Sequence, residues 1–166
     1  TQHASSAASD VYKRQIPICP GISDIKKFNQ DQLQDQCKSI GYPLLVKSSA
    51  GGGGIGMSVV QNHKDLEGAI EKTSTLAEKS FGNGDIFIEK FITNARHIEI
   101  QVFGFGAKGS VHLFERDCSM QRRYQKIIEE SPAPEIDRTV IESMAASAVK
   151  LASDVKYEGA GTVEFI

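Results

Sequence analysis

The chain has few cysteines, no surplus of positive charge and no long apolar run, and each shortage excludes a class of protein. Its three cysteines, Cys19, Cys37 and Cys118, are odd in number and far apart, and no Cys-x-x-Cys occurs. Neither a disulfide framework nor a zinc site is expected, and a reducing cytoplasm suits such a chain. Lysine and arginine total 19 against 21 acidic residues, a net charge of −2. With no basic excess to neutralise phosphodiesters, nucleic acid is not an expected partner. No stretch approaches the roughly 18 uninterrupted apolar residues of a spanning helix, so no membrane segment is expected. Residues 1–15 lack the apolar centre of a secretory signal. Small, polar and aperiodic, they read as a tail or an expression or sequencing scar, outside the fold.

What remains is ordinary globular material, with 40% hydrophobic and 24% charged residues in 166 positions, enough for one substantial core. Leu33, Cys37 and Ile40 recur at helical spacing, and Gly41 stops that helix as its C-cap. After Asn62, an N-cap with Asp65 three residues on, Leu66, Ala69, Ile70, Thr73 and Ala77 line one face of a second helix reaching Ser80. Strands are expected at 86–92, at 97–103 with His97, Glu99 and Gln101 on one face, and at 111–114. Residues 115–123 are densely polar and 125–130 extend again. Asp137 caps a last helix with Val140, Met144, Ala148 and Leu151 inward, and Gly161 to Ile166 alternate as a strand. Helices mixed with consecutive antiparallel strands make the class α+β.

The most informative stretch is Lys47-Ser48-Ser49-Ala50-Gly51-Gly52-Gly53-Gly54-Ile55-Gly56-Met57. An apolar strand, Tyr42 to Val46, leads into the lysine, and Met57 to Val60 return as a second strand. A hairpin tip without side chains lets backbone N–H groups approach an anion closely, with Lys47 as a fixed positive charge beside it. It is not a P-loop, because the lysine precedes the glycines, and not a dinucleotide fingerprint, because a strand follows rather than a helix. On the glycines alone, an exposed hairpin or linker stays open as the alternative.

Four blocks in order resemble the ATP-grasp domain of biotin carboxylases: 47–57; Phe87 to Ile92; Asn94 to Val102; and Glu115 to Arg123 with Gln125-Lys126 and Glu129-Glu130. The resemblance covers nearly all of residues 16–166. It implies an ATP-grasp fold, here the central lid subdomain plus the start of the C-terminal wall, truncated at both ends of a partial domain. It implies that Lys47, Gly51, Gly52, Gly53, Gly54, Gly56 and Met57 cover the phosphates of ATP. Glu89, Lys90 and Ile92 hold adenine through the strand backbone, His97 contacts the nucleotide and Gln121 lies near the ribose. Lys126, near bicarbonate and the γ-phosphate, is the catalytic candidate. Glu164 matches the first metal carboxylate, a hard oxygen ligand for Mg²⁺ or Mn²⁺ bridging ATP phosphates.

The parent enzyme so implied phosphorylates bicarbonate with ATP and passes CO₂ to biotin on a carrier domain outside this chain. Its partners are that biotin carboxyl carrier domain and a carboxyltransferase domain, and the parent is expected to form homo-oligomers. The second metal carboxylate, the bicarbonate arginine and the general base of the family fall beyond residue 166, so the isolated chain is expected to be inactive. Ser48-Ser49-Ala50, Ile55, Ala95 and Gly161 to Ile166 look closest to urea carboxylase, also fused in urea amidolyase. Acyl-CoA and pyruvate carboxylases usually carry arginine at Ile55, proline at Ala95 and histidine at Tyr124. Tyr124 also departs from the urea group, where asparagine is common. The same domain of an acyl-CoA or pyruvate carboxylase, or another ATP-grasp ligase such as carbamoyl-phosphate synthetase, remains the alternative.

Overall fold

A computed structural model describes residues 16–50 and 55–166, and the readings of residues 1–15 and of Gly51 to Gly54 fall outside it. Two compact units share the described chain, residues 18–93 and residues 94–166.

In the first unit, β1 (Gly21–Ile22), α1 (Gln30–Ile40), β2 (Leu44–Ser48), β3 (Met57–Val60), α2 (Leu66–Phe81) and β4 (Ile86–Lys90) follow in order. The strands form one antiparallel sheet, ordered β1-β4-β2-β3. Asn29 and Gln32 cap α1 reciprocally, and Gly41 ends it at φ +84°, a conformation that a Cβ disfavours. Cys37, Leu44, Val46, Val60, Leu66, Ile86 and Ile88 form the core between helices and sheet. The expected helix cap at Asn62 is displaced: Asn62 caps a short 3-10 turn, His63–Asp65, from which α2 continues.

The second unit contains β5 (Ile98–Phe105), β6 (Ser110–Arg122), β7 (Gln125–Glu130), α3 (Arg138–Asp154) and β8 (Glu158–Phe165). Its antiparallel sheet runs β7-β6-β5-β8. Helix α3 covers one face, where Ile100 and Val102 meet Ala145, Ala148 and Ala152. Of the expected inward set, Ala148 is fully buried and Met144 packs against the core; Ile141, Ala145 and Ala152 complete the buried face, Leu151 is half-buried and Val140 is 45% exposed. The small alanines let α3 lie close to the sheet, which a face chosen by side-chain size misses. The segments 111–114 and 115–123 join as one long strand, β6, in which Phe114 takes a positive φ of 65°. That local break interrupts the alternation and divides the strand in the sequence.

Candidate functional site

The first unit places Lys47 at the penultimate position of β2 with its side chain about two-thirds buried. Its Nζ lies 2.8 Å from Glu89 Oε1 and 5.4 Å from the centre of the Phe87 ring. The register explains this, since β2 pairs Leu45 with Glu89 and Lys47 with Phe87, so all four side chains share a neighbourhood. The hairpin closes where Ser48 N donates to Gly56 O at 2.9 Å. Gly56, at φ +73°, has Ser48 Cβ only 3.1 Å from where its own Cβ would stand. Met57 opens β3 directly opposite Lys47.

Glu89 and Lys90 end a strand paired on both sides. The Lys90 N–H donates to Pro20 O at 2.8 Å, and its ammonium donates to Gly41 O and Tyr42 O at 2.8 and 2.9 Å. That ammonium therefore satisfies carbonyls at the end of α1. The Lys90 charge is thus engaged within the fold. Ile92 follows the strand and is 40% exposed.

The second unit brings together the other four expected residues, His97, Gln121, Lys126 and Glu164, around a fifth that the sequence did not single out. Glu99 is fully buried on β5, on the sheet face opposite α3. It accepts hydrogen bonds from Lys126 Nζ and, at 2.8 Å, from Arg116 Nη2. Lys126 also donates to Glu164 Oε1 at 3.0 Å. Antiparallel pairing sets this arrangement: Glu99 stands opposite Arg116 on β6 and Glu164 on β8, and Lys126 on β7 pairs with Gln121 on β6. Burial raises the Glu99 carboxyl, but Lys126 and Arg116 outweigh it and hold its pKa below the usual 4.5. Desolvation pulls the Lys126 ammonium down, yet Glu99 and Glu164 push it above 10.5.

His97 Nε2 faces Glu164 Oε1 at 3.3 Å and Glu99 Oε1 at 3.5 Å. Neither contact is aligned as a hydrogen bond, so Nε2 is a buried polar atom without a partner among the described residues. His97, Glu99 and Glu164 offer three ligand atoms within 4.8 Å of one another. Lys126 already occupies the cation's place between the two carboxylates. Glu164, 57% exposed, is the carboxylate free to turn towards an outside cation. It suits one oxygen ligand of Mg²⁺, not a complete site. Cys118 is buried, and desolvation, with Glu99 and Glu129 adding, pushes its thiol up to about 11, which keeps it protonated and unreactive. Buried Glu99 was missed because an isolated strand glutamate is ordinarily exposed. The available signal was its place between Ile98 and Ile100 on the His97 face.

Residues 4–166 match the family described as "Carbamoyl-phosphate synthase L chain, ATP binding domain". The chain belongs to this family. Within it, the chain is an ATP-grasp domain of the biotin carboxylase kind. It is 44% identical over 164 residues to the mitochondrial methylcrotonoyl-CoA carboxylase subunit alpha of Dictyostelium discoideum, covering 98% of this chain and 23% of that protein. The biotin carboxylase of Campylobacter jejuni, solved as a β,γ-ATP complex, superposes with a TM-score of 0.87 at 43% identity, over 98% of this chain and 36% of that one. The biotin carboxylase domain of Hydrogenobacter thermophilus 2-oxoglutarate carboxylase, solved with MgADP, ADP and bicarbonate, gives 0.84 at 40% identity, over 95% and 35%. The chain thus spans about a quarter to a third of these relatives.

Proposed function

We propose that this chain clamps ATP in a biotin carboxylase that activates bicarbonate and carboxylates biotin on a carrier domain. The observation that carries the reading is the cluster on the second sheet. There Lys126, His97 and Glu164 gather around one buried carboxylate, Glu99, and Gln121 joins them through the His97 ring; the four match positions with nucleotide, bicarbonate or metal roles in this kind of domain.

ATP brings about four negative charges, and its chemistry is governed by positioning and charge neutralisation. Lys47 and the glycine loop cover the phosphates, while Glu89, Lys90 and Ile92 contribute backbone groups to the adenine. Lys126, already held by two carboxylates, presents its ammonium to bicarbonate and the γ-phosphate. Glu164 supplies one oxygen to Mg²⁺ or Mn²⁺, whose chemistry is to neutralise and orient the phosphates. Both lysines hold acidic partners, Glu89 and Glu99, that keep them in place until an anion arrives. All three cysteines are free thiols, which supports a reducing compartment such as the cytoplasm.

For the final acceptor we propose urea, on the strength of Ser48-Ser49-Ala50, Ile55, Ala95 and the Gly161 to Ile166 strand. In the test, the full-length protein is given ATP, Mg²⁺ and bicarbonate, and ADP release is followed with urea, an acyl-CoA or pyruvate added. Stimulation by urea alone supports the finer reading. Stimulation by another acceptor overturns it but keeps the carboxylase, and release independent of bicarbonate overturns both.

A further inference from the structure

The proposed clamp leaves Asp117 and Ser119 without a role, although both lie in the polar segment that most resembles the family. The Asp117 side chain is 8% exposed. Its Oδ2 accepts from Arg96 Nε at 3.0 Å and from Arg96 Nη2. Its Oδ1 accepts from the Ser119 N–H at 2.8 Å and from Ser119 Oγ at 2.5 Å. Burial raises this carboxyl, and the Ser119 and Arg96 hydrogen bonds outweigh that and leave its pKa below 3.8.

Ser119 Oγ, having given its proton to Asp117, accepts the His97 N–H at 2.9 Å. One residue earlier, Cys118 N donates to His97 O at 2.8 Å. Both backbone groups of His97 are therefore tied to the segment 117–119. The pairing of β6 with β7 is irregular between Asp117 and Met120, so this stretch is shaped by its side-chain bonds as well as by the ladder.

The ring is held from the same segment. Gln121 Nε2 donates to Cys118 O at 2.8 Å and meets His97 Nδ1 at 3.1 Å. An amide N–H has only protons to give, so Nδ1 accepts and the imidazole proton sits on Nε2. That is the buried atom left without a partner, facing the Glu164 side of the cluster. A clamp serving stability alone would need only the Arg96–Asp117 pair. Here the chain of bonds continues through a hydroxyl to the backbone of one histidine.

We propose that Asp117 and Ser119 are positioning residues that, together with Gln121, present the Nε2–H of His97 to an oxygen of the bound nucleotide. The proposal rests on the ATP reading of the site. Its test uses crystal structures of the free full-length protein with Ser119, Ser119→Ala and Ser119→Thr, alongside KM for ATP, kcat and the melting temperature. In Ser119→Ala the His97 ring should leave the Gln121 amide, and KM for ATP should rise roughly tenfold while kcat falls less than about threefold. Ser119→Thr, which keeps the hydroxyl, should restore ring position and KM. Asp117→Asn, which keeps the shape but weakens the charge-assisted bonds, should move KM in the same direction. A ring still bonded to Gln121 in Ser119→Ala would overturn the proposal, as would an unchanged KM or a Ser119→Thr protein that behaves like Ser119→Ala. A wild-type protein that binds no ATP would overturn the ATP reading instead, and the ring positions would still decide the clamp.

Discussion

Lys126 and Glu99 show how far a single residue can be read before folding is known. Resemblance singles out Lys126, but its partner, 27 positions away, is revealed only by the pairing of three strands. Glu99 contributes through ionisation. Its folded pKa lies below its usual 4.5, so the stability of the pairing is fully present at neutral pH and is lost as pH falls through the lowered value. Lys126 has the opposite sign: its contribution is complete below 10.5 and fades as pH rises through its raised value. Glu99→Gln should therefore flatten the acid side of a stability-versus-pH curve measured by urea unfolding. A curve with the same acid limb would show that folding leaves the Glu99 carboxyl at its ordinary pKa. Lys47 differs because its Glu89 partner is 17% exposed and remains reachable by water. Lys47→Ala should lower stability by about 1 kcal/mol or less, while weakening binding of an ATP analogue by tenfold or more. A larger stability loss with unchanged affinity would make the pair structural.

At the scale of elements, caps and alternation carried most of the information. Of the caps read in the sequence, Gly41 and Asp137 mark helix ends in the structure, while Asn62 caps the short turn that precedes α2. The unread alanines of α3, Ala145 and Ala152, and the divided β6 share a cause, since neither small-residue packing nor a backbone break leaves a periodic trace. The β6–β7 connection gives a sharper case. Arg122 pairs with Gln125, and the intervening Arg123 and Tyr124 both take positive φ, 51° and 65°. This hairpin geometry favours asparagine or glycine and is strained for tyrosine. Tyr124→Asn should raise stability by about 0.5–1 kcal/mol, read as a higher denaturant midpoint at constant slope. A loss instead would mean that the half-exposed Tyr124 ring packs usefully. In the core, Ile100→Ala under α3 should cost about 2–5 kcal/mol, because Ile100 is fully buried against Ala145 and Ala148.

For the whole molecule, family and fold were legible because motifs in one order constrain each other more than any motif does alone. The acceptor is a different matter. Relatives named for methylcrotonoyl-CoA and for 2-oxoglutarate match at 44% and 40% identity, so overall identity does not rank the carboxylated substrates, and the urea proposal rests on the few named positions alone. The central role proposed for this chain is that of Lys126 as a charge clamp in a bicarbonate-dependent reaction. The most direct measurement is bicarbonate- and biotin-dependent ADP release by the full-length protein and by its Lys126→Met variant, both checked for an unchanged melting profile. The predicted result is dependence on both reactants in the wild type and a fall of about a hundredfold or more in the variant. Equal rates for the two proteins, or ADP release indifferent to bicarbonate and biotin, would contradict it.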